Sequence, residues 1–512
     1  MKIILILCLM PALCFSQIQW ESNFGGTAVE VGQKIIPAEA DTHLLIGFTN
    51  SSDQDIANNS GQYDAWACLI DNSGQLLWEK TIGGTANDQF VDGVAHPGGG
   101  WLLVGNSSSD DMDINDDTDS EQGLLCHLSS EGILQWCKTF GLDEDDEFTS
   151  ITQRANGNFL ISGATDNEDL FFTKNSLHSN QDYWLLEVDE DGLLLWERKY
   201  GGSDWEQALC HTEDEQGNIY LSGFSFSSDG DISQSYGSED IWLVKTNSTG
   251  DLLWQKNYGG SLQDQARSML FYDSSIYLTG RSLSSNNTFE GYNMGQEDAF
   301  ILKINSLNGQ LEAQNNYGGA LGDRFNQILL HEGNLLLTGY TRSPLDGLDP
   351  KGMADFWLVR VESSDLSPIW MKNFGGTNED IAQDLFITTD QKTILLGSSY
   401  SSDIDLDENQ GLADLWVMQT DILSSSNTPH LHPQKNTINY QITDGNIFLK
   451  NLPDEMLICQ YFDLNGRLIR ESTFTPANGE KDLSLPQESI FFLNIAYLNN
   501  GQQIFVLKIG GL

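Results

Sequence analysis

The feature that most constrains this chain is a repeat. The segments TIGGTANDQ, KYGGSDWEQ, NYGGSLQDQ and NFGGTNEDI are one motif, in which a Trp stands four residues before the residue that precedes Gly-Gly. That Trp falls at Trp20, Trp78, Trp136, Trp196, Trp254 and Trp370, with Ala313 in the sixth slot in chain order. The intervals are 58, 58, 60, 58, 59 and 57 residues. Seven copies at nearly constant spacing mean a stack of like units, each too small to bury its own apolar face.

Every period keeps one internal order. An acidic residue follows the second Gly by four, and a short apolar run comes next, as in Phe90 to Ala95. A tight Gly/Asn turn leads to a second run ending in Gly, as in GNLLLTGY and GNIYLSGF. A long Ser/Asp-rich loop precedes a third run opened by Asp: DAWACLID, DYWLLEVD, DIWLVKTN, DAFILKIN, DFWLVRVE and DLWVMQTD. A turn with Ser and Gly then leads to a fourth run carrying the Trp. These runs are rich in β-branched and aromatic residues and bounded by Gly, Asn, Asp and Ser, and no 3.6-residue period persists. Four antiparallel strands repeated seven times predict an all-β, seven-bladed β-propeller. The chain opens on a lone fourth strand at Trp20 to Phe24, and the last unit ends after its third strand near Asp421. The N-terminal strand is therefore expected to complete the last blade and hide the edges an open β-solenoid, the alternative, would expose.

The aromatic columns follow the same logic. Six Trp occupy the fourth-strand slot, and Trp66, Trp184, Trp242, Trp357 and Trp416 occupy the third-strand slot. A ligand cage needs a few aromatics in one place, whereas a blade interface needs one in every blade, so both columns read as structural. Trp205, in a Gly-Gly loop, stands outside them and is the better stacking residue.

Carboxylates also form columns. The residue four after the second Gly is Glu30, Asp88, Asp146, Glu206, Asp264, Asp323 and Asp380. Such a column either fixes the blades by accepting backbone N–H groups or rings the channel mouth as a ligand face. The Asp opening the third strand (Asp64, Asp182, Asp240, Asp298, Asp355 and Asp414, with Gly123 as the exception) reads as structural. Loop lengths are asymmetric: turns such as Asn156-Gly157 and Asn72-Ser73-Gly74 are tight, and the loops between strands two and three run to a dozen residues or more. The long loops share a face with the Gly-Gly loops, and variable loops on a rigid scaffold are where binding is usually placed.

These loops carry Asp-x-Asp at Asp53/Asp55, Asp111/Asp113, Asp229/Asp231 and Asp403/Asp405. In the runs DMDINDDTDSE and DIDLDEN, side chains such as Asp111, Asp113, Asn115, Asp403, Asp405 and Asp407 offer the hard oxygens Ca²⁺ takes. Neither is an EF-hand, since Asp116 and Glu408 stand where its Gly belongs. The alternative is solvated Asx turns. Catalytic signatures (G-x-S-x-G, H-E-x-x-H, C-x-x-C) do not occur, and the eight His are scattered.

Lys and Arg number 25 against 74 Asp and Glu, a net charge of −49, which repels phosphate backbones and excludes nucleic-acid binding as the main role. Met1-Lys2, the apolar run Ile3 to Phe15 and Cys14-Phe15-Ser16 read as a signal peptide, residues 1–16, cleaved after Ser16. No later stretch is apolar enough to span a membrane. Five Cys then remain (Cys68, Cys126, Cys137, Cys210 and Cys459); Cys126 and Cys137 fall diagonally across one hairpin, where a disulfide or two buried thiols would fit. The repeat fills residues 17–424, a polar linker follows at 425–435, and 436–512 read as a small β-sandwich.

That last segment resembles a known family. QYFDLNGRLIRE, DLSLP, SIFFLNI and the terminal GQQIFVLKI, with Pro433 opening the segment, look like the type A C-terminal sorting domain of Bacteroidetes type IX secretion. His432 and Ser489 replace its usual Asn and Gly. The resemblance implies passage through the periplasm, export by the type IX machinery, and surface attachment or release. Residues 20–421 are similar to Trp/Gly-Gly propeller repeats of exported bacterial proteins, which implies fold rather than activity. The expectation is a secreted or surface-displayed propeller, not an enzyme. It would bind an extracellular polysaccharide or protein through its acidic long-loop face, with Ca²⁺ as a fitting cofactor. A purely structural surface protein and a glycan hydrolase are the alternatives.

Overall fold

The computed structural model describes residues 18–114, 120–141, 145–166, 180–291, 295–345, 348–406 and 409–421, and seven strands between 439 and 509. The signal-peptide and linker segments therefore lie outside the described residues. The chain divides into two compact units, Met1–Pro429 and His430–Leu512.

The first unit is a seven-bladed β-propeller. Seven four-stranded antiparallel sheets follow one another, each built from consecutive strands except the last. The innermost strands are Glu30–Pro37, Asp88–Ala95, Asp146–Gln153, Glu206–Glu213, Asp264–Tyr272, Asp323–His331 and Asp380–Ile387, defining blades 1 to 7. Blade 7 is completed by Ile18–Phe24, which pairs with Asp414–Asp421 in the register Trp20↔Gln419 and Phe24↔Leu415. This closure disposes of the open-solenoid alternative, because no blade is left with a missing strand.

Both Trp columns pack between blades. Trp66, Trp242, Trp357 and Trp416 are fully buried, and Trp184 nearly so. A buried indole N–H needs an acceptor. Residues one past the fourth-strand Trp supply it: Glu79 to Trp66 and Glu197 to Trp184 at 3.2 Å, Gln255 to Trp242 at 3.1 Å, Glu21 to Trp416 at 3.0 Å. Met371 fills that slot in blade 6, and Trp357 Nε1 is left without a partner. The fourth-strand Trp lies over the turn of the following blade. Gly74 and Gly132 hold φ of +80° and +75° there, and a Cβ on either would come within 2.5 and 2.9 Å of the Trp20 and Trp78 rings. Only Gly satisfies both conditions.

Two details differ from the sequence reading. In blade 2 the strand ladder sets Gln122 opposite Ser107, as it sets Asp182 opposite Thr165 in blade 3, so Gln122 and not Gly123 fills the third-strand acidic slot. Cys126 and Cys137 are directly paired across the ladder rather than diagonal, and they form a disulfide. Cys68 and Cys210 are free and buried.

The second unit holds a three-stranded sheet (Asn439–Thr443, Asn446–Lys450, Lys481–Ser484) and a four-stranded sheet ordered Leu468–Phe474, Leu457–Phe462, Phe491–Tyr497, Gln503–Ile509. Lys481–Ser484 is a strand the sequence reading did not assign.

Candidate functional site

The Gly-Gly loops on the long-loop face are held by side chains. At the entry to blade 1, four successive backbone N–H groups donate in turn to Asp55 (from Gly25, 3.2 Å), Glu30 (Gly26, 2.9 Å), Asp53 (Thr27, 2.9 Å) and Ser51 (Ala28, 2.9 Å). Blade 7 repeats this with Gly375 to Asp405, Gly376 to Asp380, Thr377 to Asp403 and Asn378 to Ser401, at 3.1, 2.7, 2.8 and 3.0 Å. Blade 4 uses Asp231, Glu206, Asp229 and Ser227. In blade 5, Thr288 and Asn286 take the places of the two Asp, with Asp264 and Ser284 unchanged. The loop has no helix or ladder to satisfy its donors, so each finds a side-chain acceptor. The Gly pair is explained too: a Cβ on Gly25 would sit 2.3 Å from Glu30 Oε2.

This latch settles where the sequence-predicted residues lie. Asp88, Asp146, Asp264, Asp323 and Asp380 have no exposed surface. They sit beneath the loop face instead of on it, which corrects their expected place as ligand-facing carboxylates. Asp264, for example, also receives Ser284 Oγ–H at 2.8 Å, and Asp323 receives Thr341 and Ser343 at 2.6 Å. Burial pushes Asp264 and Asp380 up to about 6 against the lowering effect of these bonds. Asp111 accepts the Thr85 N–H at 2.8 Å, and the Asp113 backbone N–H donates to Gly83 O. Asn115 and Asp407 lie outside the described residues. Among the described residues, no group of three or more His, Cys, Asp or Glu is arranged to hold a metal ion.

Trp205 is 44% exposed. Its indole N–H donates to Gln181 Oε1 at 2.6 Å; its ring lies parallel to Phe226 at 5.8 Å and edge-on to Phe224 at 5.1 Å. The side chain is thus held rigid while one region of it faces solvent.

Inside the ring of blades, every innermost strand carries a β-bulge. The residues passed over by the ladder are Gln33, Val91, Thr149, Leu209, Arg267, Asn326 and Gln383. All seven line a channel cavity of about 650 Å³. One residue further on, a polar belt runs around much of the channel: Ser150 donates to Asp92, Lys34 bridges Asp92 and Asp384 at 3.8 and 3.6 Å, Gln327 donates to Asp384, and Ser268 donates to Gln327.

The channel rim is unlike from blade to blade. On blades 5 and 6, Arg281 (3.3 Å) and Arg324 (3.0 Å) share Glu297, Arg342 pairs with Glu379 at 2.7 Å, and the Arg324 and Arg342 guanidiniums lie 5.5 and 5.1 Å from the Tyr340 ring. On blades 2 and 3, Glu121 is pushed up to about 7 by burial and then by Glu147 and Asp145, and Gln207 donates to Glu147. The sequence reading missed this basic sector. Its signal was available: four of the nine Arg lie between Arg267 and Arg342, in two adjacent repeats.

No protein-family model and no curated protein matches the chain. Solved structures similar to it include propeller domains. The WD40 β-propeller domain of Doa1 is 10% identical, covering 78% of this chain and 97% of that one, with a TM-score of 0.43. The Neurospora crassa Pan2 WD40 domain is 9% identical, covering 77% and 89%, with a TM-score of 0.41. The β-propeller domain of the Trilobed protease from Pyrococcus furiosus is 9% identical, covering 78% and 96%, with a TM-score of 0.40.

Proposed function

We propose that this chain is a non-catalytic binding platform, exported from the cell, that takes an extracellular polysaccharide or protein on its long-loop face. The observation that carries this reading is Trp205: a large aromatic side chain, exposed on the variable face, yet locked by Gln181 and Phe226. A rigid, exposed aromatic loses little entropy on contact and offers a flat apolar surface. Export is supported by the Cys126–Cys137 disulfide, which fits an oxidising compartment. It is supported also by the resemblance of residues 433–512 to a type IX sorting domain, which would make the type IX machinery a partner and the cell surface or medium the destination. We read the Asp-x-Asp loops as latches for the Gly-Gly loops in preference to Ca²⁺ ligands, because their carboxylates already accept backbone N–H groups.

A panel of immobilised extracellular glycans, probed with the full chain and with Trp205→Ala, tests the reading. Retention of the native chain on at least one glycan, weakened tenfold or more by the substitution in a variant that is still fully folded at the assay temperature, is the expected result. Retention indifferent to Trp205 would remove the aromatic platform from the site.

A further inference from the structure

The bulged side chains form one layer of the channel, and that layer has two unlike walls. On blades 6, 7 and 1, consecutive around the ring, the bulge residue is a carboxamide: Asn326, Gln383 and Gln33. On blades 2, 3 and 4 it is Val91, Thr149 and Leu209. The Thr149 hydroxyl is committed to backbone, donating to Ala208 O at 2.7 Å, so this second wall has only aliphatic groups left to offer. The carboxamides are open for use. Gln33 and Gln383 are half-buried, and neither is hydrogen-bonded to a described residue. Asn326 is held by the bond from its Nδ2 to Ala382 O at 2.8 Å, which leaves Oδ1 as a fixed acceptor. Closure of the ring does not call for these amides, since the same position accepts Val91 and Leu209 on other blades.

The charges of the lining select neither sign. Its cations are Lys34 and Arg267 and its anions Asp92 and Glu147. Lys34 lies between Asp92 and Asp384, at 3.8 and 3.6 Å, and both Glu239 and Glu297 act on Arg267. His211, held between the hydroxyls of Ser162 and Thr152 at 2.8 Å each, is kept neutral by its burial. A ligand that matches this layer is therefore neutral, and a cavity of about 650 Å³ is of small-ligand size. Carboxamides both donate and accept, as hydroxyl groups do. A pyranose presents hydroxyls around its rim and C–H bonds on its faces, which suits an amide wall opposite an aliphatic one. A channel admits a chain by its end. The ends of a peptide are charged, whereas the non-reducing end of a neutral glycan is not. We propose that the channel takes a neutral hexopyranose, free or ending a glycan chain, with Asn326, Gln383 and Gln33 bonding its hydroxyls and Val91 and Leu209 against its ring. This rests on the polysaccharide side of the reading above, and adds a chain-end site separate from Trp205.

Calorimetric titration of the full chain with the methyl glycosides of glucose, galactose and mannose, with D-glucuronate and with N-acetylalanine methylamide tests it. The proteins compared are the native chain, Gln33→Leu, Gln383→Leu and Trp205→Ala. The expected result is that at least one methyl hexoside binds, more tightly than glucuronate or the blocked alanine. Each Gln→Leu substitution should weaken that binding roughly tenfold, the scale of one lost hydrogen bond, and Trp205→Ala should leave it unchanged. Hexoside binding indifferent to both Gln substitutions would overturn the site. Glucuronate binding as tight as the hexoside would overturn the neutral part, and blocked alanine binding as tight would overturn the sugar part. No binding of any hexoside overturns the proposal outright. A Gln→Leu variant unfolded at the assay temperature would make that residue structural and remove it from the site. The glycan panel separates the two readings: retention that needs Trp205 but not Gln383 keeps the loop face and removes the channel, whereas hexoside binding lost in Gln383→Leu with retention indifferent to Trp205 does the reverse.

Discussion

The latch under the loop face and the rim of the channel lie within a few residues of each other in every blade, yet one repeats and the other does not. Glu30, Asp88, Glu206, Asp264, Asp323 and Asp380 all accept the N–H of the second position of their loop, at 2.7 to 2.9 Å. The very next residues are Val31, Gln89, Gln207, Gln265, Arg324 and Ile381, an amide in three blades but an aliphatic side chain in two and a guanidinium in one. A position that does the same physical task in each blade keeps one residue type; a position free of that task is open to specialisation. Recurrence therefore marks scaffold here, and departure from recurrence marks the place to look for ligand.

The comparison breaks most visibly at the latch. Asp380→Ala strips three buried donors (Gly376 N–H, Ser399 and Ser401 hydroxyls) of their acceptor and should cost about 3 kcal/mol or more. Trp205→Ala in the Gly-Gly loop, which gives up two ring contacts and one hydrogen bond at a half-exposed site, should cost less, about 1 to 2 kcal/mol. Denaturant unfolding of both variants checks the contrast, and equal losses would erase the distinction.

The pH response follows from the same buried carboxylates. Asp264, Asp380 and Asp414 are raised to about 6 and Glu121 to about 7 in the folded protein, above their values in an unfolded chain. Folded-state protonation is then favoured, so stability is lost as pH rises through about 6 to 7 and recovered as it falls toward 5. The thermal midpoint should be higher at pH 5 than at pH 8. A midpoint that falls on acidification to pH 5 would mean the latch carboxylates are stabilising as anions.

A smaller effect sharpens the comparison within the scaffold. Trp357 Nε1 has no acceptor because Met371 stands where Glu79 and Glu197 stand in blades 1 and 3. Met371→Glu should restore the bond and add about 1 kcal/mol. Loss of stability instead would show that desolvating the new carboxylate outweighs the bond gained.

These contrasts also explain what was legible in the sequence. The blade count, the strand order and the closure by the N-terminal strand could be read from the period and its phase, because buried positions in identical units face identical constraints. The third-strand slot of blade 2 slipped by one residue because Gln122 replaces Asp there, leaving only the ladder to fix the register. The Asp-x-Asp loops were ambiguous for a chemical reason: carboxylates that accept backbone N–H groups and carboxylates that ligate Ca²⁺ need the same oxygens on the same kind of loop. The bulges that turn Arg267 into the channel are a backbone property with no residue signature of their own.

The most direct test of the scaffold assignment is the thermal midpoint of the full chain in millimolar Ca²⁺ and then in chelator. If Asp53, Asp229 and Asp403 are latches, each is held in place by the backbone N–H it accepts and is not turned to a cation, and the midpoint stays the same. A rise of several degrees in Ca²⁺ that Mg²⁺ fails to reproduce would show a cation bound to the folded state. It would contradict the assignment and return these loops to the ligand-binding side of the comparison.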